Sequence, residues 1–480
     1  MRVADHPAAA WVLAALAFVL AAAGAKPFAS SWNDGSRLAS VAALVERGTF
    51  CIDGTVFLQP SEAVARGTPP YDPANSLCER GTLDKLLIDG HWYSDKPPLV
   101  SVPLAAAYRA LMALGLPSPS EQPGLFAWVI TVLLSGIGYA VAVGCLWALG
   151  TRAGLAPKWR FAWLAAFALA TVLPAYTRSA NNHIAQLGAV AVVCVLLCRI
   201  ADRAAEGRMA WGALVGAGFV TGFAYNLDFG VGPPLVLAVL GAVALRTRRL
   251  LPVLVFALGV LPCVVAGHAI NYAIGGDWLK PLNMHPEYLA WPGSPFTSTM
   301  TGVIRPRPFA QFLYTLDLLV GKKGFLTHNL PLLLAVVAGV RVLKRGSRGR
   351  VELLALGAWC VVGWLMYGVL SKNHGGACVS VRWFVPFLVP GFWLLAKLLA
   401  ERPELRRDFV ALAAWGVPLA ASAWAVGPWW MRLVPGYWFV LGGALLTWAL
   451  VRYFALRAKG EAPTQTVPVP AAPAASARAA

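Results

Sequence analysis

The sequence predicts an all-α polytopic membrane protein. Three observations carry that reading. Of 480 residues, 58% are hydrophobic and only 13% charged, about half the charged share of a soluble domain. Apolar runs recur from the N-terminus to residue 456, each close to the roughly 17–25 residues that cross a bilayer. Positive charge concentrates in every second loop.

The runs lie at 9–25, 124–150, 161–175, 184–200, 211–224, 232–245, 251–270, 325–340, 351–370, 383–400, 409–426 and 437–456, twelve spans in all. With the N-terminus inside, the inner loops hold Arg152, Lys158 and Arg160, then Arg199, Arg203 and Arg208, then Arg246, Arg248 and Arg249. Arg341, Lys344, Arg345, Arg348 and Arg350 follow, and then Arg402, Arg406 and Arg407. The short outer loops hold only Arg178, Lys372, Arg382 and Arg432. The positive-inside rule therefore puts both termini in the cytoplasm. These loops also account for the net charge of +18, which needs no nucleic acid to explain it.

The run at 97–116 is interrupted by Pro103, Tyr108 and Arg109. An arginine at mid-bilayer costs at least about 2.5 kcal/mol on insertion scales. A crossing there would also invert every later loop. This segment is expected to lie along the outer interface.

The organisation is one transmembrane unit, residues 1–458, and a cytoplasmic tail, 459–480, whose Pro/Ala composition predicts disorder. The first span, followed by "AAAGA", has a weak signal-peptide look. Two long outer loops remain, 26–123 and 271–324, and function is expected on their side.

Of eight cysteines, Cys145, Cys194, Cys198, Cys263 and Cys360 fall within spans as core residues. Cys51 and Cys78 flank an insertion in the first outer loop, where a disulfide is expected if that side is oxidising. No cysteine or histidine has metal-ligand spacing.

The first outer loop opens with "WNDGSRLASVAALVERGTF" at 32–50. Residues 34–47 predict an amphipathic helix, capped by Asp34 or Asn33 and ended by Gly48. Leu38, Val41, Leu44 and Val45 form a stripe that would lie flat on a membrane. Asp34 and Arg37 stand one turn apart at its start. They read either as a cap with its ion-pair partner or as a reactive pair. "IDGHWYSDKPPLV" follows at 88–100. Pro97 and Pro98 begin a helix well, so Lys96 sits where helix N–H groups attract anions. Lys96 reads as a phosphate ligand or as an interfacial lysine.

Together these pieces resemble the C-type (GT-C fold) glycosyltransferases of the protein O-mannosyltransferase and lipid A aminoarabinose transferase type. Those read Asp-Glu-x-Arg-Tyr, then Glu-x-Gly-Asp-Trp, Asn-Gly and Tyr-Phe-acid-Lys-Pro-Pro. The match covers roughly residues 32–115. The resemblance implies a polyprenyl-phosphate-sugar donor and catalysis without a nucleotide. It implies Asp34 as the catalytic carboxylate, Arg37 beside it, and Tyr93 and Lys96 at the donor phosphate, with Asp95 as the motif's acid. The chain departs from the pattern at Gly35, in the length of 51–87, and at "YTRSANNH", where the family commonly has an Asp.

Further outer-face candidates are Arg178, Asn182, His183 and Asp228 for substrate, His374 beside them, and Arg382 for phosphate. In the expected reaction an acceptor hydroxyl attacks the anomeric carbon and the lipid phosphate leaves. Asp34 acts as base and Lys96 and Arg37 stabilise the leaving phosphate. One displacement inverts the centre, with no cofactor and no metal. The rivals are a transporter or flippase of lipid-linked sugars, an enzyme of this fold using a diphospholipid oligosaccharide donor, and a non-catalytic lipid-binding scaffold.

Overall fold

The computed structural model describes residues 8–296, 308–344, 346–371 and 373–460. Of the tail expected to be disordered, residues 461–480 lie outside the described residues, as do Arg345 and Lys372, while its first two residues continue the last helix.

Helices stand at every one of the twelve expected spans. The first is α1 (Ala8–Gly24), followed by α2 (Trp32–Arg47) and the short α3 (Ser61–Ala65). The strands β1 (Lys85–Ile88) and β2 (His91–Ser94) precede α4 (Ser101–Ala113). Helices α5 (Pro123–Thr131) and α6 (Ile137–Arg152) join through a π turn into one 30-residue apolar rod. The chain continues with α7 (Pro157–Leu169), α8 (Leu173–Tyr176), α9 (Asn182–Ala205), α10 (Trp211–Leu227), α11 (Gly232–Thr247) and α12 (Leu250–Gly275). The last third holds α13 (Pro286–Leu289), α14 (Pro308–Val320), α15 (Pro331–Ala338), α16 (Arg350–Leu370), α17 (Leu388–Glu401), α18 (Arg406–Val426) and α19 (Tyr437–Gly460). Among the described residues, seven helices are long and apolar enough to cross a membrane. The protein is thus an all-α polytopic membrane protein.

Small residues let the helices close up, as in membrane bundles generally. A Cβ at Gly218 or Gly222 of α10 would stand 2.3 or 2.5 Å from the Phe256 or Val260 carbonyl of α12. That close contact fixes the end of α10, where Asp228 follows.

α4 has 13 residues, or about 20 Å at 1.5 Å per residue. That is shorter than a hydrocarbon core of about 30 Å. Arg109 is not left to lipid: its Nε donates to the Val45 carbonyl of α2 at 3.0 Å.

α2 differs from expectation in two ways. Its N-cap is Ser31, not Asp34 or Asn33, and Asp34 is the third helical residue of a capping box. It ends at Gly48 in the left-handed conformation, as expected. Nor is it a surface helix: its polar residues Asn33, Asp34, Ser36, Arg37 and Ser40 are buried along with the apolar stripe. The loop insertion, the hairpin and α4 cover the side that amphipathicity alone would leave to solvent.

The hairpin turns at Asp89 and Gly90, with φ of 50° and 83°. Two left-handed residues make the type I′ turn that a D-G pair favours. Leu86 and Ile88 bury against Leu282, so the second long loop docks on the first.

Candidate active site

One end of the bundle gathers most of the residues singled out in the sequence. α2 brings Asn33, Ser36 and Arg37. The hairpin's exit brings Ser94, Asp95 and Lys96. Asp228 follows α10, His183 begins α9, and Arg382 opens the turn before α17.

Lys96 is a hub. Its Nζ lies 2.7 Å from both Asp84 Oδ2 and Asp95 Oδ2. Asp95 Oδ1 accepts from Ser36 Oγ at 3.0 Å, and Ser36 Oγ is hydrogen-bonded to Ser94 Oγ at 2.7 Å. The hairpin exit is thereby bolted to α2. The Asn33 amide orientation that satisfies both heteroatoms points its oxygen at Lys96 Nζ (3.0 Å) and Arg382 Nη1 (3.2 Å).

The two arginines are less well provided. Arg37 is buried, and neither its Nε nor that of Arg382 has a hydrogen-bond partner. Neither makes an ion pair among the described residues. Arg382 stacks over Trp429 at 5.2 Å. Burial pushes the Arg37 guanidinium down to about 10, against the pull of Asp95, Asp228 and Asp84 and with the push of Arg382. A buried donor without a partner costs about 1–3 kcal/mol, so this pocket is primed for an anion.

Asp228 is the carboxylate that faces these cations from the helices. Its Oδ1 accepts from Gly230 N at 2.7 Å and Tyr367 Oη at 2.9 Å. Its Oδ2 lies 3.4 Å from His183 Nδ1. Burial raises its pKa above the usual carboxylate range. Burial likewise raises that of Asp95, with Lys96 opposing.

Asp34 stands elsewhere. Its oxygens accept from Ser30 N (2.8 Å), Ser31 N (2.7 Å) and Ser31 Oγ (2.5 Å), so they turn back onto the cap of their own helix. Burial pushes it up to about 6, against those bonds. It forms no ion pair with Arg37 among the described residues. The local geometry is the capping one.

Other expected residues scatter. Tyr93 packs beside the Leu86–Ile88–Leu282 cluster and bridges to Cys51, away from Lys96. Arg178 stacks on Trp424 at 4.6 Å and donates to the carbonyls of Trp424 and Ala425, tying down the end of α18. Asn182 Nδ2 donates to the Leu227 carbonyl at 2.5 Å and so locks the start of α9 to the end of α10. His374 pairs with Asp317 and lies edge-on to Tyr314. Cys51 and Cys78 are free thiols, contrary to the expected disulfide.

The sequence reading missed Asn33 and Ser36 as pocket residues, and Asp84 and Tyr367. Asn33 and Ser36 carried a usable signal, since they lie within one turn of Arg37 on the same helix. Asp84 and Tyr367 carried none.

No protein-family model matches the sequence, and no curated protein matches it significantly. Among solved structures, the chain is similar to ArnT from Cupriavidus metallidurans bound to undecaprenyl phosphate, with 15% identity over 93% of this chain and 77% of that one and a TM-score of 0.46. It is similar to the same protein in the apo state, with 16% identity over 94% and 78% and a TM-score of 0.47. It is also similar to an Archaeoglobus fulgidus oligosaccharyltransferase in the apo form, with 11% identity over 93% and 56% and a TM-score of 0.44. Likeness at this level assigns no residue a role.

Proposed function

We propose that the chain is an integral-membrane glycosyltransferase. It moves a sugar from a polyprenyl-phosphate donor to a lipid, polysaccharide or protein acceptor, on the extracytoplasmic face of the plasma membrane. The observation that carries this reading is the pair of guanidinium groups, Arg37 and Arg382, whose buried Nε donors lack partners. They flank Asn33 and the Lys96–Asp95 pair in the segment whose motifs resemble such enzymes. A lipid phosphate supplies the missing acceptor oxygens, and arginine suits phosphate geometry. Charge also supports the side: Arg152, Arg246 and Arg348 belong to the opposite end of the helices, the end that stays in the cytoplasm.

Arg37 and Arg382 hold the donor phosphate, and Lys96 keeps Asp95 and Asn33 in register beside it. The acceptor oxygen forms a bond to the anomeric carbon as the bond from that carbon to the phosphate oxygen breaks. The electron pair leaves with the phosphate, whose growing charge the guanidinium groups stabilise. One displacement inverts the centre. Asp228, not Asp34, takes the acceptor proton, because its carboxylate faces the pocket arginines and its raised pKa suits a base. Asp34 sets the start of α2 and hence the aim of Asn33 and Arg37. The groups that balance the phosphate charge are cationic side chains, so the step needs no divalent ion.

The test is sugar release in proteoliposomes loaded with polyprenyl-phosphate sugars and envelope acceptor fractions. Free polyprenyl phosphate should appear with an inverted product, and Arg382→Ala should slow the appearance of both roughly 10- to 150-fold. Passage of intact lipid-linked sugar across the bilayer without its cleavage would make the chain a flippase instead.

A further inference from the structure

Outside this pocket, among the described residues, one cluster of side chains has the composition of a metal site. Cys51, Asp53 and His91 each direct one ligand atom into a common space, and those atoms lie within 4.8 Å of one another. We propose that these three residues bind a zinc-like divalent ion, with a fourth position open to water.

The fold builds the cluster from distant sequence. Cys51 and Asp53 lie in the turn after α2, and His91 begins β2. Ile52 N donates to the Trp92 carbonyl at 2.8 Å, and Cys51 bridges to Tyr93, so the turn is fastened along the strand. His91 Nδ1 is 2.8 Å from Asp53 Oδ2. Asp53 Oδ1 accepts from Trp92 N at 2.9 Å, the kind of outer bond that fixes a ligating carboxylate. Bonds of about 2.0–2.3 Å to nitrogen, oxygen and sulfur separate tetrahedral ligands by roughly 3.3–3.8 Å. The His–Asp pair, at 2.8 Å, has to open slightly to reach that, and the other separations, none above 4.8 Å, need close by no more than about 1–1.5 Å.

The donor set selects the ion. Thiolate and imidazole favour zinc over calcium or magnesium, which prefer all-oxygen sites. A divalent ion, one thiolate and one carboxylate sum to zero charge, so the site needs no further counter-ion. Binding releases the Cys51 thiol proton to solvent. His91 is exposed, which gives the ion a way in and leaves room for water.

The site is separate from the pocket. Lys96 follows His91 by five residues, on the order of 15 Å of extended chain. The ion would tie the end of α2 to the strand that delivers Lys96, as a clamp with no part in the reaction.

The full chain, purified in detergent and stripped with chelator, is passed through a desalting column after incubation with zinc. It should keep one zinc ion per chain. Zinc should slow alkylation of Cys51 by iodoacetamide tenfold or more, read by peptide mapping. Cobalt should give a thiolate charge-transfer band that is lost in Cys51→Ser and in His91→Gln. The alkylation readout needs no variant, so it stands even where a variant misfolds. Zinc retention no higher than a buffer control, or an unchanged alkylation rate at Cys51, would overturn the site. Sugar transfer does not enter this test, so its outcome is independent of the proposed enzyme activity.

Discussion

The two ends of the bundle use arginine in opposite ways. At the end distant from α2, Arg152, Arg246 and Arg348 each find a carboxylate. Arg246 meets the buried Glu352 through two bonds of 2.5 and 2.7 Å. Arg152 and Arg348 share Asp202, which Arg348 reaches at 3.0 Å. At the α2 end, Arg37 and Arg382 are surrounded by charge yet make no ion pair among the described residues. Paired arginines stitch helices together. Unpaired buried ones carry an energetic cost that a fold retains where a ligand relieves it. The contrast distinguishes the ion-paired arginines Arg152, Arg246 and Arg348 from the two arginines of the pocket.

The largest effect should come from the base. Asp228→Asn keeps size and most hydrogen bonding, so the bundle should assemble. Turnover should fall roughly 10²–10⁴-fold, the usual contribution of a positioned base. The measurement is the single-turnover rate with donor saturating. Equal losses in Asp34→Asn and Asp228→Asn would erase the distinction drawn between cap and base.

Next come the arginines, and here the two ends should part. Arg246→Ala leaves Glu352 buried and alone, a loss of about 3–5 kcal/mol in stability. It should lower the thermal midpoint while leaving donor affinity per folded molecule intact. Arg37→Ala and Arg382→Ala should do the reverse. Each removes a charge-assisted bond of about 1.5–3 kcal/mol, so kcat/KM for the donor should drop roughly 10- to 150-fold with little change in midpoint. A midpoint that falls as far in Arg37→Ala as in Arg246→Ala would make Arg37 a structural residue.

Much of this was legible in the chain. Hydropathy located a helix at each of the twelve runs, because lipid enforces helices wherever apolar runs are long enough, but it left α14 inside the expected outer loop 271–324. Asp89-Gly90 announced its turn, and Gly48 its helix end. The pocket was legible in outline: Arg37, Lys96, Asp95 and Arg382 do converge with His183 and Asp228. What failed was side-chain direction. Asp34 sits within hydrogen-bond reach of two backbone N–H groups and the Ser31 hydroxyl, and local bonds of that kind outcompete a distant pocket. Period-2 alternation sends Tyr93 to the opposite face of β2 from Ser94. Asp84 lies twelve residues from Lys96, a distance that only the closed hairpin cancels.

The smallest expected effect concerns Asp34, and it is a matter of pH. Its carboxyl has a pKa of about 6 in the folded chain against the ordinary 3.8. The folded state therefore binds more protons than the unfolded state between those values. By linkage, stability from this group is full below about pH 4 and is lost as pH rises through about 6. The span amounts to at most about 3 kcal/mol. Asp34→Asn cannot titrate, so it should escape the loss. The wild type should gain thermal midpoint relative to Asp34→Asn as pH falls from 8 to 5, measured in detergent at constant salt. A difference between the two proteins that stays flat from pH 8 to 5 would mean that Asp34 is ionised throughout, with its three hydrogen bonds outweighing burial.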